Sequence, residues 1–275
     1  MSTRQPRGEL SQRVIWGVVM AAIAIVALWL GDWPFGLLLA ILTATAGWEW
    51  GRMVRGRDFD GLFVLHAVCV AFAALATTAG HVVPALIALV AGAVALVILR
   101  RGSGDLLSGF GVLAIGFPGV SLAQLRADEP LGLHAVLFLF VVVWMTDIGG
   151  YVFGRSIGGP KLWPVVSPGK TWAGAIGGLV LAGVAGAAMA GWLANGNIAG
   201  AVMVAVMLGI AAEIGDLAES ALKRRYGRKD ASTLIPGHGG LLDRIDGLMA
   251  AAIVATVFAA LRNPIHPAAG LLLWP

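Results

Sequence analysis

The 275-residue chain has one cysteine, Cys69, and few charges, which make up 12% of its residues. A lone cysteine inside an apolar run excludes a disulfide framework and a Cys-based zinc site. The charge content is about half the ~25% usual for a soluble domain, which excludes an ordinary solvated surface. No fixed-period repeat and no low-complexity linker divides the chain. No Ser-His-Asp or Cys-His pattern is evident, so acyl-transfer chemistry has no activated nucleophile to point to. The first apolar run follows Arg4, Arg7 and Arg13 but is long for a signal peptide and lacks a convincing cleavage site. It is expected to stay as a helix. A net charge of +4 is too small a signal for nucleic acid, since such an excess ordinarily reflects orientation and lipid contact in a membrane protein.

What is abundant is apolar: 59% of residues, with a mean hydropathy of +0.87. Runs of about 20 apolar residues are long enough to cross a bilayer as helices. They fall near 13–30, 34–50, 61–79, 82–99, 106–124, 134–153, 172–194, 198–222 and 242–262. The expectation is an all-α, polytopic integral membrane protein of about nine transmembrane helices. The fifth span is interrupted by glycine and proline between Gly109 and Gly119. Basic clusters occur only in alternate connections: at the N-terminus, at Arg52, Arg55 and Arg57, at Arg100 and Arg101, at Arg155, Lys161 and Lys170, and from Lys223 to Lys229. The intervening connections hold only Arg126 as a cation. The positive-inside rule then places the basic loops and the N-terminus in the cytoplasm. The chain reads as one membrane unit, with residues 1–130 as scaffold and lipid-access helices and 131–275 as catalytic helices with cytosolic loops.

Several polar groups interrupt this apolar background. Glu213, Asp216, Ser220, Lys223 and Arg224 follow 3–4-residue steps and share one helix face. A carboxylate in a span is costly, so such a residue is a functional hypothesis by default; an ion-pair network tying helices together is the plainer alternative. Asp243 and Asp246 are three apart, near the start of the last span. Acids are favoured at any helix N-terminus. Two on one face, with Asp216 as a third, point further, to Mg²⁺, which takes oxygen ligands and keeps several waters. Before them, Pro236–Gly240 offers glycine amides to an anion, or else is only a flexible loop. Asp147, Gly150, Tyr151 and Gly154 share a face of span six, which also reads as a small-residue packing face. In "SPGKTWAG" the GKT resembles part of a P-loop, but the required first glycine falls at Pro164 and the flanks do not read as strand, so Walker A is excluded. Gly174 and Gly178 form a GxxxG pair that lets another helix approach closely. Cations for phosphates, acids for Mg²⁺ and glycine loops together are equipment for phosphoryl or nucleotidyl transfer.

The stretch from Ser220 to Asp246 resembles the signature of phosphatidate cytidylyltransferases, also called CDP-diacylglycerol synthases. The matching residues are Ser220, Leu222, Lys223, Arg224, Lys229, Asp230, Ser232, His238, Gly239, Gly240, Leu241, Asp243, Arg244, Ile245 and Asp246. The likeness extends upstream through Asp216, "SPGKTWAG" and Asp147–Gly154, and so covers about the C-terminal half. It departs at Gly169, where the family usually has lysine, and at Ala173, where it often has glutamate. The resemblance implies an enzyme of the bacterial inner membrane that faces the cytosol and joins CTP and phosphatidate into CDP-diacylglycerol and pyrophosphate. It implies Mg²⁺, and a second, monovalent cation is a further family expectation. Asp216, Asp243 and Asp246 are assigned to the metal, and Lys223, Arg224 and Lys229 to phosphates. Ser220, His238, Gly239, Gly240, Arg244, Lys170 and Asp147 are assigned to substrate. Membrane lipids are expected partners, and association as a homodimer stays open. A CTP-dependent polyprenol kinase and a membrane transporter are the rival readings.

Overall fold

The computed structural model describes residues 7–99, 105–193, 197–235 and 239–274. Arg4, Arg100 and Arg101, used above for orientation, lie outside them. The described chain is almost entirely helical, and each expected apolar span falls on one long helix. These are α1 (Arg7–Leu30), α2 (Asp32–Arg55), α3 (Gly61–Thr78), α4 (Val82–Leu99), α5 (Asp105–Arg126), α6 (Gly132–Ser156), α7 (Trp172–Trp192), α8 (Ile198–Arg225) and α9 (Leu242–Arg262). A short α10 (Pro267–Leu272) follows. Among the described residues seven helices, α3 to α9, are long and apolar enough to cross a membrane. In α1 the apolar stretch Ile15–Leu30 is shorter. α2 carries Asp32, Glu49, Arg52 and Arg55 and falls outside the seven. α5 runs unbroken through Pro118 despite its interrupted composition.

α4 shows why this is a membrane protein. Ala85, Leu89, Gly92, Ala93 and Leu96 are buried against neighbours at helical spacing. Val83, Ile87, Val90, Val94 and Ile98 form an equally regular stripe that is exposed. A helix apolar on both faces, one of them open, needs an apolar solvent. Three of the five inward residues, Ala85, Gly92 and Ala93, are small, as suits helices that approach without a hydrophobic drive between them.

The chain forms two compact units. One comprises the described residues up to Gly116 with Arg228–Ile245; the other comprises Phe117–Gly227 with Asp246–Pro275. This partition differs from a cut near residue 130, because the signature segment 228–245 folds back into the unit of the N-terminal helices. In the first unit α1 packs on α2, α2 on α3 and α3 on α4. In the second, α6, α7 and α8 pack on one another. The α6–α7 contact is backbone to backbone: a Cβ added at Gly174 would lie 2.7 Å from the Gly150 carbonyl oxygen, and one at Gly178 would lie 2.7 Å from that of Thr146. The GxxxG pair is therefore a close-approach face.

One element runs against the sequence reading. Residues 161–171 form an antiparallel hairpin of β1 (Lys161–Trp163) and β2 (Ser167–Thr171), with Lys161 opposite Thr171 and Trp163 opposite Ser167. The GKT segment thus is strand, contrary to the expectation of non-strand flanks. The cause is local closure: Val166 is buried and donates its N–H to Trp163, and Trp172 donates to Pro160. Walker A stays excluded, since the strand contains the GKT instead of preceding a glycine loop. Thr171 ends β2 and caps α7, its hydroxyl accepting from the Gly174 amide at 3.1 Å.

Candidate functional site

Helix α8 enters the site with its polar stripe. Asp216 accepts a hydrogen bond from the Ser220 hydroxyl one turn on, at 3.3 Å. Its other oxygen pairs with Lys170 on β2 at 2.8 Å. The hairpin is what delivers that lysine, and Asp216 remains about one-third exposed. Further along α8, Lys223 is buried and pairs with the buried Glu219. Arg224 donates from Nε to the Val166 carbonyl at 3.3 Å, tying α8 to the hairpin turn.

Between these elements lies a cavity of about 520 Å³, wholly within the second unit. Asp147, Gly150, Tyr151 and Gly154 of α6 line one wall, Gly169, Lys170 and Thr171 another, and Glu213 and Asp216 of α8 a third. The face of α6 picked out by spacing is thus a cavity wall, and its glycines also carry the packing on α7. Arg155 donates to the Tyr151 hydroxyl at 2.8 Å, which arms this wall with a cation. Glu213 has Lys170 and Asp216 as charged neighbours. Asp246, in the second turn of α9, has Asp216, Lys223 and Asp147. Asp147, Glu213, Asp216 and Asp246 thus stand near one another with Lys170, Lys223 and Arg155 as neighbouring cations, and carboxylates crowded in this way suit a hard cation. Among the described residues no three His, Cys, Asp or Glu side chains gather closely enough to hold a metal by themselves. A set of separated carboxylates suits Mg²⁺ bound through one or two acids, waters and substrate phosphates better than a closed protein cage.

The signature segment in the first unit is organised by two other carboxylates. Asp243, in the first turn of α9, accepts from the Ala231 amide at 3.0 Å and the Gly240 amide at 2.7 Å. The Asp243 assigned above to a metal thus holds its own loop. Gly239 adopts φ +83°, which glycine alone takes without strain, and its carbonyl accepts from Ile235. Glu49 of α2 has no exposure at all. It accepts from the Ser232 hydroxyl at 2.5 Å, the Leu241 amide at 2.8 Å and the Leu242 amide at 2.7 Å. Sequence reasoning passed over Glu49. The signal existed, a glutamate in "GWEWGR" within an apolar run, and such a residue asks for a partner. Lys229 and Arg244 are exposed. His238, with Pro236 and Gly237, lies outside the described residues. Of the residues expected from sequence, Asp147, Lys170, Asp216, Ser220, Lys223, Arg224 and Asp246 belong to the second unit. Lys229, Gly239, Gly240, Asp243 and Arg244 belong to the first.

The fold and the cavity define a class: an integral membrane protein with a chamber lined by three acids, Lys170 and Arg155 let into its helices. A model of the cytidylyltransferase family matches residues 11–262, and the chain belongs to that family. It is similar to phosphatidate cytidylyltransferases of Brucella suis, 40% identical over 264 residues that cover 95% of this chain and 97% of the relative. It is also similar to phosphatidate cytidylyltransferases of Staphylococcus haemolyticus, 43% identical over 141 residues (51% of this chain, 54% of the relative), and of Staphylococcus aureus, 40% over 141 residues with the same shares.

Proposed function

We propose that the chain is a phosphatidate cytidylyltransferase, converting CTP and phosphatidate into CDP-diacylglycerol and pyrophosphate. The observation that carries this reading is the cavity in which Lys170 meets Asp216 beside Asp147 and Glu213, in a chain of the cytidylyltransferase family. The nucleophile is an ionised phosphate oxygen of phosphatidate. It attacks the α-phosphorus of CTP, the new P–O bond forms, and the bond to the β-phosphate oxygen breaks. The nucleophile comes already deprotonated, so no strong general base is required. The residues must instead bring two polyanions together and hold the charge that collects on pyrophosphate.

Lys170, Lys223, Arg224 and Lys229 supply cations for these phosphates. Ser220 and Lys170 hold Asp216 in orientation. Glycine amides near Gly239 and Gly240, with His238 and Arg244, are assigned to the nucleotide. Mg²⁺, held by Asp216 and Asp246, would neutralise phosphate charge as it shifts to the leaving group. Asp243, the third acid of the sequence reading, is assigned to keeping the signature loop in place. A monovalent cation beside Mg²⁺ stays part of the proposal. By the positive-inside rule the proposal assigns the N-terminus and the 223–240 segment to the cytosol of a bacterium, with nine helices across its inner membrane. CTP then reaches the site from water and phosphatidate from the bilayer.

The test uses purified protein, CTP labelled at the α-phosphate, and phosphatidate in mixed micelles. Label appearing in lipid with release of pyrophosphate supports the reading. Label retained in soluble CDP, with a polyprenol as acceptor, would make the chain a kinase instead.

A further inference from the structure

We infer that Glu49, a residue of α2 far from the signature in sequence, is a positioning residue for the reaction. The inference rests on the cytidylyltransferase reading above. A fully buried carboxylate within an apolar helix needs a compensating partner. Glu49 finds three donors, and all of them belong to the signature segment. Oε1 accepts from Ser232 and from the Leu241 amide; Oε2 accepts from the Leu242 amide. One side chain thus grips both ends of the 232–242 stretch. The Leu241 and Leu242 amides lie at the N-terminal end of α9, where amides have no intrahelical acceptor and where negative charge is favoured. Glu49 therefore sets where α9 begins. Asp243 and Arg244 follow immediately, and Asp246 lies one turn further along the same helix.

Space around Glu49 is closed as well. A Cβ added at Gly240 would lie 2.8 Å from Glu49 Oε1, so the loop reaches the carboxylate only with glycine there. Glutamine cannot replace Glu49. Either way its amide is turned, an NH₂ meets a backbone N–H, and one of the three bonds becomes a donor–donor clash. A carboxylate with this geometry holds a backbone segment in register, and a shift of about 1 Å in reacting groups costs about 100-fold in rate.

The experiment compares wild-type, Glu49→Gln, Glu49→Asp and Ser232→Ala enzymes by two measurements. The first is hydrogen–deuterium exchange of peptides covering 231–242 in detergent. The second is turnover and KM with CTP and phosphatidate, per mole of monodisperse protein. Glu49→Gln is expected to raise exchange of that segment at least about tenfold and to lower kcat about 10- to 100-fold. KM for CTP should move less than about threefold, because the loss is of alignment. Glu49→Asp should fall between, its arm being too short to reach every donor. Ser232→Ala, which removes one contact, should give a smaller loss, and it should add little in a Glu49→Gln background, the mark of a shared network. Ser232→Ala carries the test if Glu49→Gln does not purify. Unchanged protection of 231–242, or lost protection with wild-type kcat, would overturn the proposal. An absence of any product from the wild-type enzyme would overturn the functional reading, and exchange would still decide whether Glu49 anchors the loop.

Discussion

Four carboxylates, two from each unit, differ in what they are bound to. Glu49 and Asp243 in the first unit are engaged by backbone amides and a hydroxyl. Asp216 and Glu213 in the second line a cavity and have lysine and one another as neighbours. The chemical group is the same, but the consequences are opposite. An acid whose lone pairs are taken by fixed amides holds backbone in place. An acid held by side chains at a cavity wall keeps capacity for a ligand. Under the proposed function, saturation, more than presence in a membrane helix, separates an acid that holds a loop from one that serves the reaction.

The sharpest way to break that comparison is to neutralise one acid of each kind. Asp216→Asn should lower turnover at saturating CTP and phosphatidate by at least about 100-fold while the protein still inserts and purifies, since charge stabilisation of several kcal/mol is lost. Asp243→Asn should keep one acceptor for an amide and should instead loosen its loop, visible as faster exchange at Ala231 and Gly240. If the two variants behaved alike across a Mg²⁺ titration, saturation would not separate the two classes.

Lys223→Ala addresses stability. It leaves Glu219 buried without its lysine, and breaking a buried pair costs about 3–5 kcal/mol. A lowered thermal midpoint should accompany any loss of turnover, and adding Glu219→Gln should restore much of the midpoint. A single variant of normal stability but poor turnover would move Lys223 from a structural pair to the phosphates alone.

Gly178→Leu is expected to cost about 1–3 kcal/mol, because its side chain would run into the Thr146 carbonyl and the nearby Glu213 carboxylate. Unchanged stability would mean that α6 and α7 can separate there without penalty. Thr171→Ala should have the smallest effect, about 1 kcal/mol from the lost cap of α7. Its thermal midpoint, read beside turnover, tests whether the hairpin that delivers Lys170 depends on that cap.

Composition and local spacing were enough for the helices, because each apolar run must satisfy its own backbone within lipid and only a helix does so in one segment. The polar stripe of α8 and the cavity-facing side of α6 were legible for the same reason: residues three or four apart share a face whatever surrounds them. The chemistry of the signature was legible as a dense local pattern of acids, cations and glycines. Only tertiary structure revealed the partners. Glu49 meets Ser232 across 183 positions and Leu242 across 193, and Lys170 meets Asp216 only because 161–171 folds into a hairpin. No periodicity encodes such pairs, since they depend on which helices pack together and how closely. That packing is settled by small residues such as Gly174 and Gly178 acting through neighbours remote in sequence.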